Sequence, residues 1–135
     1  MEAIPVRLPR DLNSATGTAG TPNQLAGAGA YRWSRDYPAL YSVSIETALV
    51  KVTLSNGLIG WGEAQAPLAP EVACTIVDRL LRPVLEGAPF AGSRDEIESL
   101  WLRMFSAMRV RGQTGGFMVD AISGWTWRCG TSRAR

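Results

Sequence analysis

Histidine is absent from this 135-residue chain, which removes the commonest general base and the commonest transition-metal ligand. Lysine occurs once, as Lys51, against thirteen arginines. Any chemistry would have to use carboxylates, arginine, tyrosine or Lys51, and the sequence offers no nucleophile with a base to activate it. We therefore assign no catalytic residue, no metal ligand and no cofactor-binding residue to the chain itself.

The chain also lacks an apolar run of the roughly 20 residues that span a bilayer, and its N-terminus does not read as a secretion signal. A net charge of +2 is too small to suggest nucleic-acid binding. The two cysteines are interpreted as unpaired thiols, with Cys74 at a helical core position and Cys129 near the C-terminus. These features predict a cytoplasmic protein with neither a membrane nor a nucleic-acid partner.

What the chain does have is ordinary globular composition, 46% apolar and 19% charged, at a length that suits one domain. Residues 2–9 alternate apolar and polar side chains and contain two prolines, which predicts a short edge strand. Residues 43–54 and 58–64 are two further apolar runs, separated by Ser55, Asn56 and Gly57. Asn-Gly between such runs predicts a hairpin with a type I′ turn, hence a three-stranded antiparallel β-meander.

Three helices are predicted after the strands. Pro70 and Glu71 open the first, which Pro83 limits, and its apolar residues recur at four-residue steps: Val72, Ile76, Leu80 and Val84. Ser93 and Glu96 form a capping box before the second, whose single apolar stripe is Ile97, Leu100, Trp101, Met104, Phe105 and Met108. The third starts near Thr114 and carries Phe117, Ala121 and Ile122. The predicted fold class is α+β, a three-stranded meander followed by a three-helix bundle.

Two segments stand out for function. Residues 11–30 are rich in Gly, Ala and Thr without periodicity, which predicts a long flexible loop that either covers a binding site or is a plain insertion. The segment that follows packs as a rim or touches a ligand, and it concentrates aromatic and basic residues: Tyr31, Arg32, Trp33, Arg35, Tyr37 and Tyr41.

Residues 125–135 do not continue the helical pattern that precedes them. They carry two tryptophans, three arginines and a further glycine, with no apolar face. Translated one base earlier, the codons for residues 125–132 permit Val-Asp-Leu-Ala-Leu-Trp-Asp-Leu, an amphipathic helix that extends the third helix. The alternatives are a frameshift near Gly124, which we favour, and a genuine short tail. The predicted domain therefore covers residues 1–124, and residues 125–135 are an aberrant tail.

The order of elements and several motifs resemble the N-terminal capping domain of the mandelate racemase/muconate lactonizing enzyme group of the enolase superfamily. The motifs are residues 56–64 (NGLIGWGEA), 83–87 (PVLEG), 97–101 (IESLW) and 121–124 (AISG). In that family the third helix continues Asp-x-Ala-Leu-Trp-Asp, as the shifted frame does. The resemblance covers about residues 2–124 and implies a chain truncated before the catalytic barrel.

The resemblance also implies a role. In the family a (β/α) barrel follows the cap, and three carboxylates hold Mg²⁺ there while a Lys or His removes the proton α to a carboxylate; none of these barrel residues is in this sequence. The family's cap selects the substrate with its loops after the first and third strands. Transferred to this chain, the expected substrate contacts are Tyr31, Trp33, Arg35 and Gln65, and the substrate is a small carboxylate, a sugar acid being one candidate.

Two functional hypotheses follow. In the first, the chain is the cap of an isomerase or lyase of this family, inactive alone, with an exposed barrel-docking surface that could self-associate. In the second, it is a stand-alone, non-catalytic α+β binding domain. An aberrant tail favours the first hypothesis, and a genuine tail favours the second.

Overall fold

The computed structural model describes residues 1–10, 25–26, 29–34 and 38–129. Its strands are β1 (Glu2–Pro9), β2 (Leu25–Ala26), β3 (Tyr31–Ser34), β4 (Ala39–Ser42), β5 (Ser44–Thr53) and β6 (Ile59–Ala64). The helices are α1 (Pro70–Ile76), a π-helical turn Val77–Leu81, α2 (Arg82–Leu85), α3 (Arg94–Arg109) and α4 (Phe117–Cys129). The first three of these are contiguous, so the described chain has three helical segments and the predicted α+β class is confirmed.

The main sheet is antiparallel with strand order β1-β5-β6, and it confirms the predicted meander with its proline-containing strand at an edge. β1 and β5 pair from Glu2↔Lys51 to Pro9↔Ser44, and β5 continues into β6 through Ala48↔Ala64 and Val50↔Gly62. The hairpin is confirmed, but the predicted type I′ turn is wrong. Gly57 has a φ of 84° while Asn56 does not enter the positive-φ region. The Gly57 N–H instead donates to the Leu54 carbonyl (3.0 Å), which closes a four-residue turn within the five-residue connection 54–58.

A second, smaller antiparallel sheet of order β2-β3-β4 was not predicted. β3 pairs with β4 from Tyr31↔Ser42 to Ser34↔Ala39, and β2 adds two residues at the other edge. Leu25 and Ala26 lie within the stretch predicted to be a flexible loop, so part of that stretch is a strand. Residues 11–24, 27–28 and 35–37 lie outside the described residues.

The first helical segment differs from the prediction in two ways. It passes Pro83 and ends at Leu85, because the π-helical turn before the proline widens the helix where a regular turn would lose a hydrogen bond and clash with the ring. Its buried side is also shifted by about one position from the predicted stripe. Ala73, Cys74, Val77 and Leu81 are buried, whereas Val72 is exposed. Cys74 is a free thiol as predicted, and burial raises its pKa.

Helix α3 follows the prediction closely. Ser93 accepts the Glu96 N–H and the Glu96 carboxylate accepts the Ser93 N–H, which completes the capping box. Leu100 and Met104 are buried, and the other four stripe residues pack against the core. This agreement reflects strong local signals at both the cap and the apolar face.

Helix α4 runs to Cys129, beyond the predicted domain boundary at residue 124. It crosses β6 at two glycines, where a Cβ added to Gly62 would lie 1.8 Å from the Gly124 carbonyl oxygen. Trp125 is only 4% exposed and meets Phe90 edge-on, with ring centroids 6.1 Å apart. The start of the unusual segment is therefore part of the packed domain, and its proposed frameshift origin stays a prediction. Residues 130–135 lie outside the described residues.

The helices cover one face of the main sheet and leave the other open. On the open face, β1 places Leu8 opposite Ile45 and Ile4 opposite Leu49, and β6 adds Ile59 and Trp61. Leu8, Ile45, Ile59 and Trp61 are all exposed. Three polar contacts also lie here: Lys51 with Glu2, Lys51 over the Trp61 ring, and Thr47 with Glu63. No helix in the described part of the chain is long and apolar enough to cross a membrane.

Candidate functional site

The most unusual side chain of the fold is Glu46, a carboxylate that is 6% exposed near the start of β5. Side chains alternate between the two faces of a strand, so Glu46 shares the helix-covered face with Ala48 and Val50. A buried charge is stable only when hydrogen-bond donors replace the water it has lost. The surroundings of Glu46 are therefore expected to be built around its two oxygens.

Three donors from three different segments reach this carboxylate. The Ser42 hydroxyl donates to Oε1 at the end of β4. The Tyr31 hydroxyl on β3 and the Ala69 N–H before α1 both donate to Oε2, each at 3.0 Å. Arg7 adds a positive charge from β1, with its Nε 3.6 Å from Oε1. We call these five residues, Arg7, Tyr31, Ser42, Glu46 and Ala69, the Glu46 cluster.

Within this cluster, Tyr31 and Ala69 are also bonded to each other. The Ala69 N–H donates to the Tyr31 hydroxyl oxygen at 2.9 Å, in addition to its bond to Glu46. Ala69 is the residue before the first turn of α1, and it has a φ of 49° and a ψ of 59°. It is the only non-glycine residue with a positive φ in the described part of the chain. The cluster thus joins the small sheet to the connection between β6 and α1.

An ion pair extends the cluster onto the helix. The Arg7 guanidinium donates to both carboxylate oxygens of Glu71 in the first turn of α1, one of them at 2.7 Å. The hydrogen bonds from Arg7 lower the pKa of Glu71, and those bonds in turn raise the pKa of Arg7 further above its ordinary range. Both side chains are substantially exposed, so this pair orients Arg7 beside Glu46 more than it stabilises the fold.

The four predicted substrate contacts are placed as follows. Tyr31 is half-buried with its hydroxyl inside the Glu46 cluster. Trp33, two residues along the same strand, is 48% exposed and lies opposite the exposed Leu40 of β4. Gln65 is exposed directly after β6. Arg35 lies outside the described residues. The structure therefore brings the Tyr31 strand and the segment 65–69 together through the Tyr31–Ala69 bond, and leaves Trp33 and Gln65 open to solvent.

Sequence reasoning missed the residues at the centre of this site. Glu46 carried a signal, because a carboxylate in phase with Ala48 and Val50 on an apolar strand is predicted to be buried and hydrogen-bonded. Ser42 carried none, because its bond to Glu46 depends on how the chain bends between β4 and β5. Ala69 carried none, because its partners lie 23 and 38 positions away and its backbone conformation is unusual.

The described carboxylates do not fit a magnesium site. Mg²⁺ needs several oxygen ligands in octahedral geometry, whereas both oxygens of Glu46 already accept hydrogen bonds and Arg7 occupies Glu71. Among the residues that the structure describes, no group of three or more His, Cys, Asp or Glu could hold a metal ion.

A cavity of about 600 Å³ lies at the opposite end of the main sheet, beside the β5–β6 hairpin. Its walls include Arg82 in the first helical segment, Glu86 directly after that segment, and the rings of Phe90 and Trp125. It is separate from the Glu46 cluster, and Trp125 belongs to the segment whose sequence looked aberrant.

Comparison with solved structures gives a consistent set of relatives. A proposed isomerase from Sinorhizobium meliloti is 27% identical, with a TM-score of 0.78. An enolase-superfamily member from Agrobacterium tumefaciens is 26% identical, with a TM-score of 0.75. A racemase from Streptomyces coelicolor A3(2) with bound magnesium is 21% identical, with a TM-score of 0.61, and shows the fold alone.

Each of these matches covers 95% of this chain but only 32%, 31% and 29% of the respective relative. The chain therefore spans about a third of the length of the solved proteins it resembles. No protein-family model matches the sequence, and no curated protein matches it closely. The fold is that of the enolase N-terminal domain, and the solved proteins that share it belong to the enolase superfamily.

Proposed function

We propose that this chain is the capping domain of a mandelate racemase/muconate lactonizing enzyme-like protein and helps to select a small carboxylate substrate. The observation that carries the proposal is the Tyr31–Ala69 hydrogen bond, because it holds together the two segments that the family resemblance assigns to substrate selection. The coverage of about a third of each solved relative supports a division of labour, with the chemistry in the part that this chain does not match.

In this proposal the substrate contacts the exposed side chains of Trp33 and Gln65, which we call the rim. Trp33 offers an apolar surface and Gln65 offers an amide that can both donate and accept hydrogen bonds. Tyr31 contributes its ring, since its hydroxyl already donates to Glu46 and accepts from Ala69. Arg35 stays a sequence-based candidate for the substrate carboxylate, to which a guanidinium can donate two parallel hydrogen bonds.

The proposal assigns proton abstraction and Mg²⁺ binding to the barrel of a longer protein to which this domain belongs. The Streptomyces coelicolor racemase that shares the fold has bound magnesium. The chain alone is then expected to show no magnesium-dependent turnover of any carboxylic acid. The uncovered sheet face with Leu8, Ile45, Ile59 and Trp61 supports an expectation of self-association when the chain is alone. A cytoplasmic location rests on the sequence argument only.

The test places residues 1–124 in the matching segment of the Agrobacterium tumefaciens protein. The chimera is screened for thermal stabilisation by small carboxylic acids, including sugar acids, with Mg²⁺ present. Trp33→Ala and Gln65→Ala should each reduce the stabilisation by a binding acid, while Gln113→Ala, an exposed glutamine between α3 and α4, should leave it unchanged. Equal stabilisation in all four proteins would contradict a role for this rim in selection.

A stand-alone binding domain is the second candidate, and one observation favours it. Trp125 is buried against Phe90 and forms part of the cavity wall, so at least the first tail residue is accommodated by the fold. This reading predicts a monodisperse chain with a cooperative melt that Trp125→Ala weakens. The capping reading predicts aggregation or dye binding by the intact chain.

A further inference from the structure

Ala69 holds a backbone conformation that costs an L-residue free energy. Its Cβ is crowded against the following carbonyl when φ is 49° and ψ is 59°, a strain that glycine would not have. Such residues persist only where the surroundings over-determine them, and they concentrate at functional sites. Ala69 also sits at the end of the segment 65–69, which leads from β6 into α1.

Hydrogen bonds to the rest of the Glu46 cluster hold Ala69 in this conformation. In the left-handed conformation, the Ala69 N–H points at both Glu46 Oε2 and the Tyr31 hydroxyl oxygen, at 3.0 and 2.9 Å. The Glu46 side chain is completely buried, so any rotation of this N–H away would leave a desolvated carboxylate short of one donor. A hydrogen bond to a buried charge is among the stronger ones in proteins.

The same carboxylate is itself fixed from the small sheet. Tyr31 donates to Oε2 and Ser42 to Oε1, so the position of Glu46 depends on β3 and β4 as well as on its own strand. A displacement of β3 would therefore change the hydrogen bonds of Ala69, and a change in the conformation of Ala69 would change those of Tyr31 on β3.

We propose that Glu46 and Tyr31 are positioning residues that hold Ala69, the last residue of the segment Gln65–Ala69, in its strained conformation and so couple that segment to the small sheet. We call the hydrogen bonds from the Ala69 N–H to Glu46 and Tyr31 the latch. The latch is a property of the chain, and only the statement that the segment 65–69 touches substrate rests on the proposed function. Its consequence for that function is a preorganised rim, in which a ligand meets Trp33 and Gln65 at a fixed relative placement.

The experiment measures backbone amide hydrogen exchange by NMR in the complete chain, comparing wild type with Tyr31→Phe. The variant removes one donor to Glu46 and one acceptor of the Ala69 N–H. The Ala69 amide should exchange about fivefold to tenfold faster, while amides of α3 keep their rates. Tyr41→Phe makes the same chemical change on β4 and should leave Ala69 unaffected. Unchanged exchange at Ala69, or equal acceleration throughout the chain, overturns the proposal.

A second variant separates positioning from general stabilisation. In wild type, Glu46→Gln lets Ala69 relax, so the released strain offsets part of the lost hydrogen bonding. Ala69→Gly leaves no strain to release, so in that background Glu46→Gln should shift the urea midpoint more than it does in wild type. If Glu46→Gln does not fold alone, Tyr31→Phe takes its place in the same comparison. Equal midpoint shifts in the two backgrounds, or a smaller shift in Ala69→Gly, would overturn the proposal. No ligand enters either measurement, so the latch can fail while the capping function survives, and the reverse.

Discussion

Replacing Gly62 by alanine tests the closest approach between the sheet and its helices. The added Cβ would lie 1.8 Å from the Gly124 carbonyl oxygen and 2.9 Å from its carbonyl carbon, whereas ordinary contacts of a Cβ lie at 3.4–4 Å. Both partners are backbone, one in β6 and one in α4, so no side-chain rotation can relieve the overlap. Helix and sheet must separate along the line where they pack most closely.

The expected loss can be estimated from this geometry. Overpacking a well-packed interior costs about 1–3 kcal/mol, and a clash with backbone on both sides belongs at or above the upper end. Removing a glycine from a strand returns only about 0.5–1 kcal/mol through reduced freedom of the unfolded chain. We expect Gly62→Ala to lower the free energy of unfolding by about 3 kcal/mol or more, a large share of the 5–15 kcal/mol typical of a domain.

The assay is urea unfolding followed by far-UV circular dichroism, which does not depend on the tryptophans near the helix crossing. Gly115→Ala is the matched control, because nothing lies within 4 Å of its added Cβ and its φ is not in the left-handed region. It should stay within about 0.5 kcal/mol of wild type. A Gly62→Ala chain as stable as this control would refute the packing of α4 on β6.

Three further changes test other parts of the account. Met104→Ala, which empties a fully buried position of α3, should cost about 2–5 kcal/mol in urea unfolding. Ser93→Ala removes the acceptor of the Glu96 N–H and should cost about 0.5–2 kcal/mol, with Ser106→Ala on the exposed side of α3 as a neutral control. Arg7 lowers the pKa of Glu71 below its ordinary 4.5. The contribution of Glu71 to stability is therefore present above about pH 4.5 and is lost as the pH falls through the lower pKa of the folded state. Glu71→Gln should be less stable than wild type at pH 7, and thermal melts in acid should show that this difference disappears. A Glu71→Gln deficit that persists unchanged at low pH would show that its cause is not the ion pair.

Local signals in the sequence predicted the elements that they directly encode. The capping box at Ser93 and Glu96, the apolar stripe of α3 and the Asn56-Gly57 hairpin each lie within a few residues, and the structure has all three. The main sheet followed from the hairpin and from the alternation in β1. The order of these elements along the chain in turn carried the family resemblance.

The errors have physical causes that a local pattern does not carry. The buried side of the first helix depends on how closely it packs on the sheet, which favours Ala73 and Cys74 over the larger Val72. The strands β2, β3 and β4 have only two to four residues each, too few for a periodicity to show. The turn type was wrong because the connection is longer than two residues.

The four substrate contacts chosen through the resemblance stay predictions, and the residues at the centre of the Glu46 cluster were missed. Trp33 and Gln65 are both exposed, one on β3 and the other directly after β6. The Tyr31–Ala69 bond joins residues 38 positions apart, and the Ala69 conformation is set by that bond and by Glu46. Contacts of this kind arise only when the whole domain has formed.

The most direct test of the central claim is the nucleotide sequence of the gene from the Ser123 codon onward. The capping account predicts that, one base back, an open frame continues for roughly 200–250 codons, a barrel's length, and encodes a Lys-x-Lys motif with three spaced acidic residues. A frame that closes within a few codons would contradict it, and would make the stand-alone binding domain the better account of this chain.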